Sequence, residues 1–322
     1  MRIPHNRLAE ALKCALLALL LFPVTVSDSL AWGPGVHAYI ADQIAKKAGW
    51  KNVDEMYGSM APDVINYMFS SPYLSQMYAA THFDFEPLWE EARTVRERAL
   101  AHGFVMHNNA WAADYTAHNH SLTLADSAQG YVVQKAEILA AVLESDPAYA
   151  SLGIPHQITV EICHPMIENS VELLMAQVDR ELGQKVVLAV TRRSDVFPWL
   201  LARAYAPLFA QYFGNSELSA AEALVTAEAA FRQITLLQGN TLQQELLVAL
   251  DQMAELNAQL AVGFLSQYGV VLPEGFDVKG LITNLIGGGM VLCQGDFQEE
   301  VLATVQAVGE NMTSNGHGFP QY

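Results

Sequence analysis

Histidines are concentrated in the first half of this chain, where they lie among carboxylates. The sequence has ten histidines, and eight of them fall between His37 and His164. Histidines that serve only packing or solubility would be scattered along the chain, so this bias predicts a metal site. Each histidine alone is more simply explained as structural. The prediction therefore depends on how the imidazoles are spaced relative to carboxylates.

The clearest spacing is in the segment 99–119, which reads ALAHGFVMHNNAWAADYTAHN. On a helix, His107 and Asp114 lie within about 20° of one face, and His118 follows Asp114 by one turn. One carboxylate between two imidazoles suits zinc, and its two oxygens allow it to bridge two ions. A straight helix separates His107 from Asp114 by about 10 Å along its axis, so a shared ion requires a bulge or unwinding between Asn108 and Trp111.

Four further side chains could add ligands. His164 and Glu168 are four residues apart and share one helix face, although a surface pair is the simpler alternative. Asp63 directly follows a proline, and His82 lies between apolar neighbours. Each of these two residues, taken alone, is better explained as structural.

The first 31 residues read as a secretory leader. They combine an early basic region, an apolar run over 14–26 and small residues at Ser29 and Ala31, which suit signal peptidase. We therefore predict cleavage between Ala31 and Trp32, a secreted or periplasmic protein and no transmembrane span after processing. An N-terminal membrane anchor is the alternative, but the apolar run is shorter than the roughly 20 residues that span a bilayer.

Cleavage at this point would leave Trp32 with a free α-amino group. The ordinary pKa of such a group is about 8, so a nearby metal ion readily displaces its proton. The nitrogen and the Trp32 carbonyl oxygen would then form a chelate. His37 would add an imidazole five residues later.

Helical periodicity accounts for nearly all of the remaining chain. We predict an all-α protein with a single multi-helix domain over 32–322, the metal site in 32–170 and a helical C-terminal part. The pairs Ser219/Glu222 and Thr241/Gln244 predict capping boxes at two helix starts, and Pro165 is expected to kink or begin its helix. The predicted helices cover 36–47, 88–117, 130–143, 158–182, 197–213, 220–237, 242–265 and 297–308.

Composition narrows the possible partners. The chain has 17 basic and 34 acidic residues, and its net charge of −17 becomes −18 without the leader's three basic and two acidic residues. Such a surface counts against binding to duplex nucleic acid, although a metal centre can still accept an anionic substrate. The apolar stretch 280–292 either contacts lipid at a membrane surface or lies buried. Cys163 and Cys293 could pair in an oxidising compartment or remain buried thiols.

Taken together, these motifs resemble the zinc-dependent phospholipase C family. The resemblance covers about residues 32–171, and the sequence around 113–119 looks especially like the bacterial members. The family includes the N-terminal part of glycosylphosphatidylinositol-specific phospholipase D, and the single-strand-specific zinc nucleases share its plan and the spacing from Trp32 to His37. The motifs are WGPGVH at 32–37, APD at 61–63, THF at 81–83, the His/Asp/His segment 107–118 and HxxxE at 164–168.

The resemblance implies an all-helical enzyme that holds two to three zinc ions and hydrolyses a phospholipid or another phosphodiester with zinc-activated water. Asp63 would be catalytic, because its family counterpart orients that water or accepts its proton. The implied ligands are Asp63, His82, His107 and Asp114 for one ion, Trp32, His37 and the bridging Asp114 for a second, and His118, His164 and Glu168 for the third.

The sequence departs from the family at one position. The family histidine usually lies four residues before the bridging aspartate, where this chain has Ala110. His107 fits if three residues are inserted after it; otherwise that ion is lost or held weakly. His120 is the alternative to His118, because the nucleases use that longer spacing. Three functions stay open: a phospholipase C-like or D-like enzyme, a zinc nuclease or nucleotidase, and a zinc-binding protein with little catalysis.

Overall fold

The chain folds as a set of helices. The structure is a computed structural model that describes residues 32–47, 53–68, 74–267, 270 and 272–318, so the predicted leader at 1–31 lies outside the described residues. Within these ranges there are fifteen α-helices, one 3-10 helix and no strand, which confirms the predicted all-α class. The α-helices are α1 Pro34–Lys47, α2 Val53–Met60, α3 Leu74–His82, α4 Glu86–Glu91, α5 Val95–His107, α6 Ala113–His118, α7 Tyr131–Glu144, α8 Pro147–Ala150, α9 His156–Val178, α10 Leu182–Arg192, α11 Phe197–Phe213, α12 Glu217–Thr241, α13 Leu246–Gln267, α14 Val278–Cys293 and α15 Phe297–Ser314; the 3-10 helix Ala61–Tyr67 directly follows α2.

The prediction of one helix over 88–117 is wrong, because the structure divides this segment into α4, α5 and α6. Thr94 begins α5 through a capping box: its hydroxyl accepts the Glu97 amide hydrogen, and the Glu97 carboxylate accepts the Thr94 amide hydrogen. A turn at 108–112 then separates α5 from α6. The other predicted helices are present, with ends that differ by up to six residues.

Both capping boxes predicted from the sequence are wrong. The Ser216 hydroxyl caps α12 by accepting the Ser219 amide hydrogen at 3.1 Å, so the helix begins earlier and Ser219 lies inside its first turn. Thr241 ends α12 instead of capping the next helix, and its hydroxyl donates to the Gln252 side chain. Pro165 lies within α9.

Helix α1, which carries His37, is in contact with two other histidine-bearing helices, α5 and α9. This helix packs against α2, α5, α9, α10 and α15. The α2–α5 crossing is unusually close, since a Cβ on Gly58 would lie 2.1 Å from the Leu100 carbonyl oxygen and one on Gly103 would lie 2.0 Å from the Glu55 carbonyl oxygen. Glycine at both positions therefore lets the two backbones touch. This contact brings the end of α2 beside the end of α5.

One cluster of buried apolar side chains runs from Trp32 to Met312. The apolar stretch 280–292 forms most of α14, whose inner face lies in this core while Val291 is 67% exposed. Cys163 and Cys293 are both buried free thiols. Among the described residues, no helix has both the length and the apolarity that crossing a bilayer requires.

Candidate metal centre

Five of the predicted ligands come from five different elements and meet in the interior. His37 lies in the first turn of α1, and Asp63 lies in the 3-10 helix. His82 and His107 end α3 and α5, and Asp114 lies in the first turn of α6. All five residues are buried, with His82, His107 and Asp114 fully so. Burying this many ionisable groups is costly unless they pair or share a cation.

Asp114 lies at the centre of this cluster. Its Oδ1 is 3.3 Å from His37 Nε2, and its Oδ2 is 3.0 Å from His107 Nε2 and 3.4 Å from His82 Nε2. Asp63 completes the group with its Oδ1 3.9 Å from His82 Nε2. The Asp114 carboxylate thus uses both oxygens to contact three imidazoles, an arrangement that suits a ligand shared between two ions.

Two triads in the described part of the chain could each hold a metal ion. They are His37, Asp63 and His107, and His82, His107 and Asp114; in each triad the three ligand atoms lie within 4.8 Å of one another. The four residues implied for one ion, Asp63, His82, His107 and Asp114, are therefore brought together. His107 belongs to both triads, so the sites they define adjoin.

The turn at 108–112 is what brings His107 to Asp114. The Asn108 side-chain oxygen accepts the amide hydrogens of Ala110 and Trp111, both at 3.0 Å, and its amide group donates to the Val105 carbonyl. The Asn109 amide hydrogen is donated to the His82 carbonyl at 2.9 Å. The helix is thus interrupted between His107 and Asp114, as the spacing of these two residues required. The Asn109 hydrogen bond also links the turn to the end of α3.

Hydrogen bonds behind His82 and His107 fix which ring nitrogen carries a proton. The Thr81 hydroxyl donates to the Met77 carbonyl at 2.8 Å, so it can only accept from His82 Nδ1, 2.8 Å away. The Ser59 carbonyl likewise accepts from His107 Nδ1 at 2.9 Å. Both rings therefore point Nε2 lone pairs into the cluster. Partners of this kind orient metal-binding histidines.

The two Nε2 atoms lie only 3.2 Å apart. Two lone pairs at this distance, beside a carboxylate oxygen, repel one another unless a proton or a metal ion lies among them. Without a metal, that proton belongs to His107: burial lowers its pKa, but the Asp114 and Asp63 carboxylates outweigh this effect and raise the pKa to about 9. Burial and the charge on His107 lower the pKa of His37 to about 4 and that of His82 well below its usual range.

The third predicted set lies next to the first cluster and is more open. His164 Nε2 is 3.1 Å from Glu168 Oε1 on α9, and the His118 and His164 rings lie 5.2 Å apart. Burial raises the pKa of Glu168 well above its usual range, and the charges on Glu172 and Asp114 raise it further. The His164 side chain is 16% exposed, so this set reaches the surface.

Trp32 and Glu172 anchor the start of α1. The Trp32 indole is fully buried, stacks on Tyr131 and donates its Nε1 hydrogen to Thr116 at 3.1 Å. The Glu172 carboxylate accepts the Gly35 amide hydrogen, and a Cβ on Gly33 or Gly35 would lie less than 3.0 Å from this carboxyl group. The glycines of WGPGVH are thus required for Glu172 to reach the helix N-terminus that positions His37.

Two other histidines of the same region point elsewhere. His120 Nδ1 lies 2.7 Å from the Ser127 carbonyl oxygen and its ring stacks on Tyr115, whereas His118 faces His164. His102 is buried against the Glu55 carboxylate at 3.2 Å, on a different face of α5 from His107. The expected choice of His118 over His120 therefore fits the arrangement of the rings.

Sequence reasoning missed the residues that hold the candidate ligands in place. Ser59 acts through its carbonyl, which every residue type possesses, so no sequence signal could identify it. Thr81 directly precedes His82, but its hydroxyl could have been used in several ways. Glu172 lies four residues after Glu168 on the same helix face, and this spacing was the one available clue.

Comparisons of this chain with protein-family models, with curated proteins and with solved structures found no match. An argument about function therefore depends on the buried histidine and aspartate groups that could hold a metal ion.

Proposed function

We propose that this protein is a zinc-dependent phosphodiester hydrolase of the phospholipase C type, with the cluster around Asp114 as its metal centre. The observation that carries the proposal is the convergence of His82 and His107 Nε2 on one Asp114 oxygen, with each ring held in that tautomer from behind. Three imidazoles and two carboxylates suit zinc, whereas magnesium and calcium prefer sites made of oxygen alone.

The ligand assignment follows the expectation from the sequence. Asp63, His82, His107 and Asp114 would hold one ion, and Asp114 would share a second with His37 and the Trp32 main chain. His118, His164 and Glu168 would hold a third. When bound, zinc supplies a Lewis acid for the phosphoryl group and makes water more acidic. The contact between His107 and Asp114 supports this assignment despite Ala110.

Asp63 accepts the proton of the attacking water in this proposal. Its side chain is 12% exposed, whereas that of Asp114 is fully buried, so Asp63 is the carboxylate nearer to solvent. Asn66 donates to Asp63 Oδ1 at 3.2 Å and orients the carboxylate. Burial raises the pKa of Asp63 well above its usual range; His107 opposes this shift, while Asp114 and Glu168 reinforce it.

The substrate is proposed to be a phospholipid that is reached outside the cytoplasm, after removal of residues 1–31. It would enter beside His118 and His164, the two proposed ligands whose side chains are partly exposed. A zinc nuclease or nucleotidase is the second candidate, and it is favoured by the five-residue spacing from Trp32 to His37.

The test is a metal count together with a substrate panel, on protein that begins at Trp32. We expect two to three zinc ions per chain by mass spectrometry and hydrolysis of phosphatidylcholine and bis-p-nitrophenyl phosphate that a chelator abolishes. Cleavage of single-stranded DNA without lipid hydrolysis would favour the nuclease. Bound zinc with no turnover would leave a binding protein, and less than one zinc per chain would refute the metal centre.

A further inference from the structure

The C-terminal helix α15 packs against three helices that carry proposed ligands, namely α1, α5 and α6. One of these helices, α6, has only six residues yet holds both Asp114 and His118. A helix of this length is not stable by itself in water, since fewer than about 12 residues rarely repay the cost of nucleation. The position of α6 must therefore come from its surroundings.

A buried hydroxyl pair joins α15 to the middle of α6. Thr304 Oγ1 and Thr116 Oγ1 lie 2.9 Å apart, and both residues are buried. The Thr116 hydroxyl donates to the Ala113 carbonyl at 2.7 Å, so it must accept from Thr304. It also accepts the Trp32 indole hydrogen at 3.1 Å. One hydroxyl of α15 thus supports the helix that holds Asp114 and, through Thr116, Trp32, which lies two residues before α1.

The segment after α6 is fixed by a second residue of α15. Glu300 is fully buried, and its carboxylate accepts four hydrogen bonds of 2.5–3.0 Å from 121–123. The donors are the Ser121 hydroxyl, the Leu122 amide, and the amide and hydroxyl of Thr123. Because a buried carboxylate is costly without such partners, this contact strongly favours one position of the chain beyond His118.

The segment before α6 is fixed by the end of α15 and the residues after it. Asn311 donates to the Trp111 carbonyl at 2.9 Å. His317 is 4% exposed, lies 3.0 Å from a Glu86 carboxylate oxygen and packs among three aromatic rings, of which that of Trp111 is stacked on it. Trp111 belongs to the turn between His107 and Asp114, so these contacts hold the turn from outside.

We propose that α15, through Thr304, Glu300 and Asn311, is a positioning element of the proposed metal centre, and that it acts by fixing the start, middle and end of α6. This inference rests on the proposed metal function, because positioning matters only if Asp114 and His118 bind a metal. It assigns a role to the C-terminal part of the chain, which carries no predicted ligand. Removal of one of these contacts should loosen α6 although every proposed ligand residue is still present.

The experiment uses the full chain that begins at Trp32 and three variants on α15. Thr304→Val removes the hydroxyl at constant shape, Thr304→Ser restores it, and Thr313→Val makes the same exchange at an exposed position of the same helix. We measure zinc affinity by competition with a chromophoric chelator. Direct partners of metal ligands typically contribute about 10–100-fold. Thr304 acts one step further out, through Thr116, so Thr304→Val should weaken affinity by up to about tenfold, while Thr304→Ser and Thr313→Val stay near the parent value.

Amide hydrogen exchange in the metal-free protein gives a second readout that does not depend on zinc. Thr304→Val should speed exchange in 113–118 selectively, and Thr304→Ser should restore protection. Unchanged protection of α6 in Thr304→Val overturns the inference, whatever the metal does. Lost protection with unchanged zinc affinity also overturns it, because α15 then serves only folding. If the parent protein binds no zinc, the proposed function and the positioning of a metal centre both fail, while the exchange data still report whether α15 holds α6.

Discussion

Replacement of Gly103 by alanine tests whether the α2–α5 crossing keeps the residues of the proposed metal centre in position. A Cβ at this position would lie 2.0 Å from the Glu55 carbonyl oxygen, whereas ordinary contacts begin at 3.4 Å. The two backbones would have to separate by about 1.4 Å, because no flexible side chain can yield instead. The hydrogen bond between His107 Nδ1 and the Ser59 carbonyl, now 2.9 Å, would then stretch beyond hydrogen-bond distance.

Two effects of Gly103→Ala can be given a magnitude. Overpacking costs about 1–3 kcal/mol, and the better helix propensity of alanine returns about 1 kcal/mol, so the free energy of unfolding should fall by up to about 2 kcal/mol. Loss of the partner behind His107 should weaken zinc binding by about 10–100-fold. Thermal unfolding of the metal-free protein and chelator competition measure these two quantities separately.

Gly309→Ala is the matched control, because this glycine also lies inside a helix but nothing lies within 4 Å of its missing Cβ. Here the propensity gain acts alone, so the melting temperature should rise and zinc affinity should not change. If Gly103→Ala is as stable as the parent and binds zinc equally well, the close crossing does not position His107. Equal destabilisation by both variants would also contradict the argument.

Three further predictions concern the ligands and their partners. Asp114→Asn should remove more zinc than any other single change, because three imidazoles face this carboxylate; zinc content by mass spectrometry checks this, and Asp195→Asn, at a fully exposed carboxylate, should have no effect. Thr81→Val should weaken zinc binding by about 10–100-fold, because His82 loses the acceptor that fixes its tautomer. Thr235→Val removes an equally buried hydroxyl, which donates to the Phe231 carbonyl, and should leave zinc affinity unchanged in chelator competition. A methionine retained before Trp32 would convert the proposed amine ligand into an amide, so zinc content and turnover should fall below those of protein with a free Trp32, while Trp32→Phe with a free terminus should cost less because the chelating atoms belong to the backbone. Equal zinc content and turnover in the Met-Trp32 and free Trp32 proteins would show that the amino terminus is not a ligand.

The helical class and the identity of the clustered histidines and aspartates were predictable because they depend on local patterns. Apolar periodicity indicated most of the helices, and the seven-residue distance from His107 to Asp114 identified both residues. The same distance also showed that one straight helix could not bring the two side chains together, because it would keep them about 10 Å apart along its axis. Asn108 resolves it: asparagine is a common turn residue, and the side chain accepts two amide hydrogens here.

What the sequence could not predict is the set of contacts between distant segments. Thr94 and Ser216 cap helices, but a capping residue is recognised only once the helix start is known. Glu300 lies 177 or more residues from its partners, and its burial reflects packing that no local pattern encodes. The same holds for Gly103, whose contact with the Glu55 carbonyl exists only when α2 and α5 cross.

The turn at 108–112 has a consequence for how such centres vary among proteins. When one ligand ends a helix and another begins the next, a turn joins them. The number of residues in the turn does not determine the distance between the two ligand atoms. Residues can be added or lost in the turn while the imidazole and the carboxylate keep facing each other, provided that the two helix ends are anchored independently. A search for metal centres by fixed ligand spacing would pass over such a chain, whereas a search for histidine at a helix end followed by aspartate at the next helix start would find it.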